Sequence, residues 1–365
     1  MNKLRRTSRI FLNSLNAGKT ERLIQFLYLY ANVVRYFIEM LWSNQDFSGK
    51  FGEKTEIDRA VARFGITARL SQLAYKQAKE IVKSQRKKSK RKRKMPRFKN
   101  IIVNLDCRFF TLSEFQGKHF DWAIKFNSGV PSIIVPFNNT KHSLKFLNSG
   151  WALSKSIRIG LKKKRLFIDL IFEKEKPPYR KEGKTIGIDT GLRALIATSE
   201  GQVLGTELKE KIEKTGKRRK RFHKFIATEI DRIVKQIDLS DVKVVCVENL
   251  KKVKHNKRGK FSRKINRFLS FWHYARVLQR IRQRCEEEGI RLEFKSPYKT
   301  SQRCPLCGNI DRKNRRTDRF RCTSCGFEKH ADIVGAMNLK VLGLAEAYSL
   351  RSLQTQFNGV GINVY

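Results

Sequence analysis

The chain has 365 residues, with 80 Lys and Arg against 33 Asp and Glu and a formal charge of +47. That length allows two or three domains and at least one sizeable core. A positive excess of this size repels itself unless polyanions neutralise it. It argues against a merely soluble basic protein and for nucleic acid as the natural partner.

In chain order, Arg9-Ile10-Phe11-Leu12 predicts an early strand. Leu23, Phe26, Leu27, Tyr30, Val33, Val34, Phe37 and Leu41 then recur at helical spacing. This is also the most membrane-like stretch, but Gln25, Asn32, Arg35 and Glu39 interrupt it, so a buried or amphipathic helix is expected and no membrane partner. After a polar, turn-rich segment, helical spacing resumes through Ile57, Val61, Leu70, Leu73, Ala74, Ala78 and Ile81. Lys83 to Lys99 contains no acid and few apolar residues, which predicts a flexible basic arm. Its Arg86, Lys87, Lys88, Arg91 and Arg93 are candidate phosphate contacts, with a nuclear localisation signal as the competing reading.

From Ile101 to Lys176 the pattern turns to short β-rich runs: Ile101–Leu105, Phe109–Leu112, Ile133–Phe137, Ser156–Ile159 and Leu166–Phe172. They predict a small antiparallel barrel, with Arg158 and Lys162 to Arg165 as its basic surface and Pro177-Pro178 as its end. A third region reads strand (Thr185–Asp189), strand (Ala194–Thr198) and strand (Gln202–Leu204). A helix carrying Phe222, Phe225, Ile226, Ile230, Ile233, Val234 and Ile237 follows, then the strand Val242–Val247. A second helix carries Phe271, Trp272, Ala275, Leu278, Ile281 and Cys285 and leads to the strand Arg291–Phe294. That is the running order of a ribonuclease-H-like domain, an order other α/β folds share at the start.

Three carboxylates stand at ends of these elements. Asp189 leads into Thr190-Gly191, Glu248 follows the apolar run Val244–Val247, and Asp332 opens a helix over Ile333–Leu339. Singly, the two aspartates read as a turn former and an N-cap. Together, three hard oxygen ligands suit Mg²⁺ or Mn²⁺ and the two-ion hydrolysis of a phosphodiester. Cys304, Cys307, Cys322 and Cys325 form two C-x-x-C pairs separated by fourteen residues, the spacing of a closed structural Zn²⁺ site. Between the pairs, Arg315, Arg316, Arg319 and Arg321 are candidate contacts to the scissile strand. Cys107, Cys246 and Cys285 are left over. With no signal-peptide pattern, this odd count predicts a reducing, cytoplasmic compartment.

In these residues the chain resembles the TnpB family of transposon-encoded, RNA-guided nucleases, relatives of the type V CRISPR effectors. The resemblance is carried by Gly187-Ile188-Asp189-Thr190-Gly191, by Arg219 to Lys224, and by Val247-Glu248-Asn249-Leu250. Tyr298-Lys299-Thr300-Ser301-Gln302 and Ala331-Asp332 with Ala336 and Asn338 complete it, over roughly residues 183–342. One departure is Val334-Gly335-Ala336, where the family usually has Asn-Ala-Ala. The resemblance implies a multidomain α/β protein whose RuvC-type nuclease domain covers 183–299 and 327–345, with a zinc-ribbon insert at 300–326. It further implies a wedge-like β-barrel from 1–19 and 96–182, a helical recognition domain with its basic linker at 20–95, and a flexible tail at 346–365. Asp189, Glu248 and Asp332 would then be the catalytic metal ligands, and Arg219 and Arg221 would contact nucleic acid. The partners implied are a guide RNA and double- and single-stranded DNA, bound by a prokaryotic, nucleoid-associated monomer. A nuclease-silent guided repressor and an unguided zinc-ribbon transposition accessory protein are the competing readings.

Overall fold

The computed structural model describes residues 3–43, 51–89, 91, 93–115, 119–127, 130–191, 194–208, 210–211, 219–249 and 274–358, with side chains at all of these but 51–53, 219–222 and 346–358. The chain forms two compact units, Met1–Glu175 and Lys176–Tyr365.

In the first unit, strand β1 (Lys3–Phe11) is followed by helices α1 (Ala17–Ser43), α2 (Phe51–Phe64) and α3 (Ala68–Arg86). Helix α1 buries Leu23, Phe26, Leu27, Tyr30, Val33, Val34 and Phe37, the 3–4 spacing that turns one stripe inward. Strands β2 (Ile102–Asp106), β3 (Phe110–Glu114), β4 (Trp122–Phe126) and β5 (Ile134–Phe137) come next, then the short helix α4 (Lys141–Leu147) and strands β6 (Ala152–Lys162) and β7 (Arg165–Glu175). The antiparallel strands form one sheet of order β1-β7-β6-β2 and another of order β3-β4-β5. Helices and strands share one apolar cluster rather than separate cores. Polar ties reinforce it: Gln77 Nε2 on α3 donates to the Ile102 carbonyl at 2.9 Å, and Arg69 holds Asp106 at 2.8 Å.

Two elements here are absent from the sequence reading. Strand β4 escaped because its side chains fall into no long apolar run, and α4 because it is seven residues long. Its signal was a capping box, in which Thr140 accepts from the Ser143 amide and Ser143 accepts from the Thr140 amide. The stretch expected as a flexible arm begins inside α3 and folds back: Gln85 Nε2 donates to the Lys94 carbonyl and Arg93 Nε to the Lys88 carbonyl.

The second unit contains strands β8 (Lys184–Asp189), β9 (Ile196–Thr198) and β10 (Val203–Leu204), helix α5 (Arg219–Lys235), strand β11 (Val242–Glu248), helix α6 (Tyr274–Glu288) and strand β12 (Arg291–Lys295). The sheet order is β10-β9-β8-β11-β12, with β8, β11 and β12 parallel and β9 antiparallel to its neighbours. Alternation sends Ile186, Ile188, Val245 and Val247 into one apolar layer with Ile226, Ile230, Ile233, Val277 and Ile281 of α5 and α6. The intervening residues face a last helix, α7 (Ala331–Asn358). Its approach to β8 is so close that a Cβ on Gly187 would collide with the Ala336 carbonyl, so only glycine fits there. Helix α7 also runs to Asn358, through the tail expected to be flexible. No Pro or Gly breaks the chain between Gly343 and Gly359, so nothing stops the helix sooner. Phe271 and Trp272, expected to open the helix that begins here at Tyr274, lie outside the described residues.

Candidate active site and zinc centre

Parallel pairing sets Ile188 opposite Val247, so Asp189 and Glu248 leave the sheet side by side at the C-terminal ends of adjacent strands, the edge where open α/β sheets bind ligands. Both follow by two residues a position that faces α7 (Gly187 and Cys246), which puts their side chains on the α7 side of the sheet. Helix α7 brings Asp332 in its first turn to the same place. Gly335, one turn later, lies beneath Asp189; a Cβ there would sit 2.9 Å from Asp189 Oδ2. The departure from Asn-Ala-Ala thus leaves this carboxylate room over the helix.

Two of the acids are held by neighbours. Thr300 Oγ1 donates to Glu248 Oε1 at 2.9 Å, and the Tyr274 hydroxyl donates to the Glu248 carbonyl at 2.6 Å. Thr300 is fixed in turn by α7, since the buried Asn338 Nδ2 donates to the carbonyls of Thr300 and Arg303, both at 2.8 Å. Arg315 Nη2 donates to Asp332 Oδ1 at 2.8 Å. Burial, then the charges of Glu248 and Asp332, push the Asp189 carboxyl up to about 7, with Arg315 acting in the opposite sense. Three carboxylates against one guanidinium leave a deficit of positive charge that a divalent cation would fill. The Thr190 hydroxyl, next to Asp189 in the chain, is buried with no hydrogen-bond partner among the described residues. This oxygen-rich donor set fits a hard cation such as Mg²⁺ or Mn²⁺.

The cysteines make a tighter group. Cys304 Sγ lies 3.6 Å from Cys325 Sγ and Cys307 Sγ 3.5 Å from Cys322 Sγ, and all four sulfurs fall within 4.8 Å of one another. A tetrahedron with Zn–S bonds of about 2.3 Å has edges of about 3.8 Å, so the quartet fits Zn²⁺. Among the described residues it is also the one cluster of ligand-type side chains gathered closely enough to hold an ion. The three acids stand more loosely, with Glu248 drawn towards Thr300 and Asp332 towards Arg315. Gly308 and Gly326, with φ of +76° and +71°, make the turns after the two C-x-x-C pairs. Between them run strands β13 (Arg315–Arg316) and β14 (Arg319–Arg321), and β15 (Glu328–His330) closes a three-stranded sheet. The Asp318 carbonyl of this hairpin accepts from the Ala331 amide at 2.7 Å, which ties the ribbon to the start of α7.

The basic candidates are scattered in their roles. Arg315 is half-buried on Asp332. Arg319 and Arg321 are exposed and pair with Glu328, and Arg316 is exposed on β13. Arg86 donates to the Leu41 and Trp42 carbonyls and stacks over Trp42, finishing the C-terminus of α1. Lys87, Lys88, Arg91 and Arg93 are exposed. Arg219 and Arg221 open α5, and their side chains lie outside the described residues. Sequence reasoning missed Thr300, Asn338 and the Arg315–Asp332 pair as parts of the site. The motif Tyr298 to Gln302 was noticed, but nothing in it says that its threonine reaches Glu248.

Residues 274–339 match the family model described as Cas12f1-like, TNB domain. By this match the chain is similar to proteins of the TnpB and type V effector kind. It is 43% identical over 77 residues to a CRISPR-associated endodeoxyribonuclease Cas12f1 of Sulfoacidibacillus thermotolerans, which covers 21% of this chain and 18% of that one. It is 29% identical over 123 residues to a TnpB-like protein of Aquifex aeolicus, 33% of this chain and 40% of the relative. The matched stretches therefore span well under half of these curated relatives. The solved Cas12f1-sgRNA-target DNA complex contains a chain of like fold, with a TM-score of 0.60 at 15% identity over 91% of this chain and 83% of that one. Among the described residues, no helix is long and apolar enough to cross a membrane.

Proposed function

We propose that this protein is an RNA-guided, divalent-metal-dependent DNA endonuclease with a single RuvC-type site formed by Asp189, Glu248 and Asp332. The observation that carries the reading is the convergence of three carboxylates, distant in sequence, at one end of a mixed sheet ordered as in a ribonuclease-H-like domain. Guidance by RNA and action on DNA are supported by the relatives, of which Cas12f1 is named an endodeoxyribonuclease and is solved with guide RNA and target DNA. When bound, Mg²⁺ or Mn²⁺ would supply the charge that activates water and stabilises the leaving oxygen of a phosphodiester. The chain's part is to hold the ligands. Thr300 orients Glu248, Arg315 fixes one oxygen of Asp332, and Gly335 admits Asp189 beside the helix. The zinc ribbon delivers Arg315 and braces the first turn of α7.

The test is to extract and sequence RNA from the purified protein, then present DNA matching that RNA with Mg²⁺ or with chelator. Cutting that requires both the matching RNA and the metal is expected. Tight target binding in Mg²⁺ with intact DNA would favour a silent repressor, and absence of RNA would favour an unguided DNA-binding protein.

A further inference from the structure

We infer that Asn338 is a positioning residue for the metal-binding acids. Through Thr300 it sets the side chain of Glu248, so that α7, which carries Asp332, also places the acid at the end of β11. The inference rests on the nuclease reading of the three acids and extends it to a residue that acts only through another. Asn338 lies six residues beyond Asp332, about 9 Å further along the helix axis. It is 1% exposed, and a side-chain amide has two N–H donors. Both go to the loop that precedes the zinc ribbon, one to the Thr300 carbonyl and one to the Arg303 carbonyl, each at 2.8 Å.

The loop is strained where these bonds act. Lys299, immediately before Thr300, has a φ of +54°, which crowds its Cβ against the backbone. Its carbonyl accepts from the amides of Gln302 and Arg303, both at 3.0 Å, so the strained residue opens a tight turn. Strain of this kind persists only where the surroundings over-determine it, and the Asn338 amide clamps the turn at Thr300 and at Arg303. Thr300 is 3% exposed and has one hydroxyl hydrogen to give. Glu248 Oε1 at 2.9 Å is nearer to it than the Pro297 carbonyl at 3.3 Å, and a carboxylate is the stronger acceptor. The amide is poorly served in return. Its Oδ1 is buried with no hydrogen-bond partner among the described residues. A buried acceptor left unpaired costs stability, and an asparagine kept despite that cost argues for a task beyond packing. With Gly335 lying beneath Asp189, one helix addresses all three acids.

The experiment uses full-length, zinc-loaded protein freed of nucleic acid, with Mn²⁺ as the probe, its binding read by EPR against an Asp189→Asn blank. Asn338→Leu removes both donors at similar volume and should weaken Mn²⁺ binding about ten-fold, the usual cost of losing a group that orients a ligand. Thr300→Val should weaken it by a similar factor. If Asn338 acts through Thr300, adding Asn338→Leu to Thr300→Val should cost less than about two-fold more, whereas a merely structural role gives the product of the two losses. Zinc content and Tm are followed alongside. Should the leucine variant shed its zinc, Asn338→Ser, smaller and with one donor left, takes its place in the same cycle. Unchanged Mn²⁺ affinity in the Asn338 variants, or losses that multiply, would overturn the inference and leave the nuclease reading standing. An unaltered chain that binds no more Mn²⁺ than the blank would end both.

Discussion

At the end of the β8–β11 pair Arg315 binds Asp332, while burial, and then the charges of Glu248 and Asp332, raise the Asp189 carboxyl and set the sign of its pH dependence. The Asp189 carboxyl titrates at about 7 in the folded chain against an ordinary 3.8. Below the ordinary value the group is protonated in both states and contributes nothing. Its cost to stability grows as pH rises from there and is complete above the folded value. Asp189→Asn should therefore raise the Tm of metal-depleted protein by roughly 2–6 °C at pH 8 and hardly at all near pH 4. Mg²⁺ should raise the Tm of the unaltered chain at pH 8 and do so less as pH falls through the folded value, because protons compete for the same oxygens. A thermal-shift series over pH and Mg²⁺ checks both. For Glu248 the decisive contact is the Thr300 hydroxyl. Thr300→Val should slow cleavage about ten-fold through loss of one charge-assisted hydrogen bond, and Thr300→Ser should restore it, as read by single-turnover rates.

Among the elements, the order of β8 to β12 and the long helices were readable because apolar residues recur at the spacing of the structure they form. The acids were readable for a related reason, since Asp189 and Glu248 each close an apolar strand run and Asp332 opens a helical one. Strand β4 was not readable because no long apolar run marks it, and helix α4 because seven residues are too few for a helical period to show. The tail from residue 346, expected to be flexible because its apolar residues show little periodicity, continues α7 as far as Asn358, where no breaker interrupts it. Arg315 shows the limit of reading charge alone. In the sequence it is one of several loop arginines, and only the β13–β14 hairpin turns it onto Asp332. The cysteine pairs flank this hairpin, so on the proposed reading zinc should govern the three acids without touching them. Removing zinc by chelation, or the ligand by Cys322→Ser, should release one equivalent of zinc and make residues 304–330 sensitive to protease. Cleavage should fall at least a hundred-fold even with Mg²⁺ restored; unaltered cleavage by zinc-free protein would contradict that coupling.

Taken whole, the molecule has a first unit of helices and antiparallel sheets, built around one core, and a second unit that carries the cysteine quartet and the three acids. A charge of +47 spread over such a chain gives every nucleic-acid contact a steep salt dependence, so affinity by itself identifies no site. The central claim is instead about chemistry at three carboxylates. The most direct measurement loads the full-length protein with its co-purifying RNA and assays matched DNA in Mg²⁺ for the unaltered chain and for Asp189→Asn, Glu248→Gln and Asp332→Asn. Each variant should retain its RNA and bind target while cleavage falls by at least a thousand-fold. Near-normal cleavage by any one of them would contradict the account.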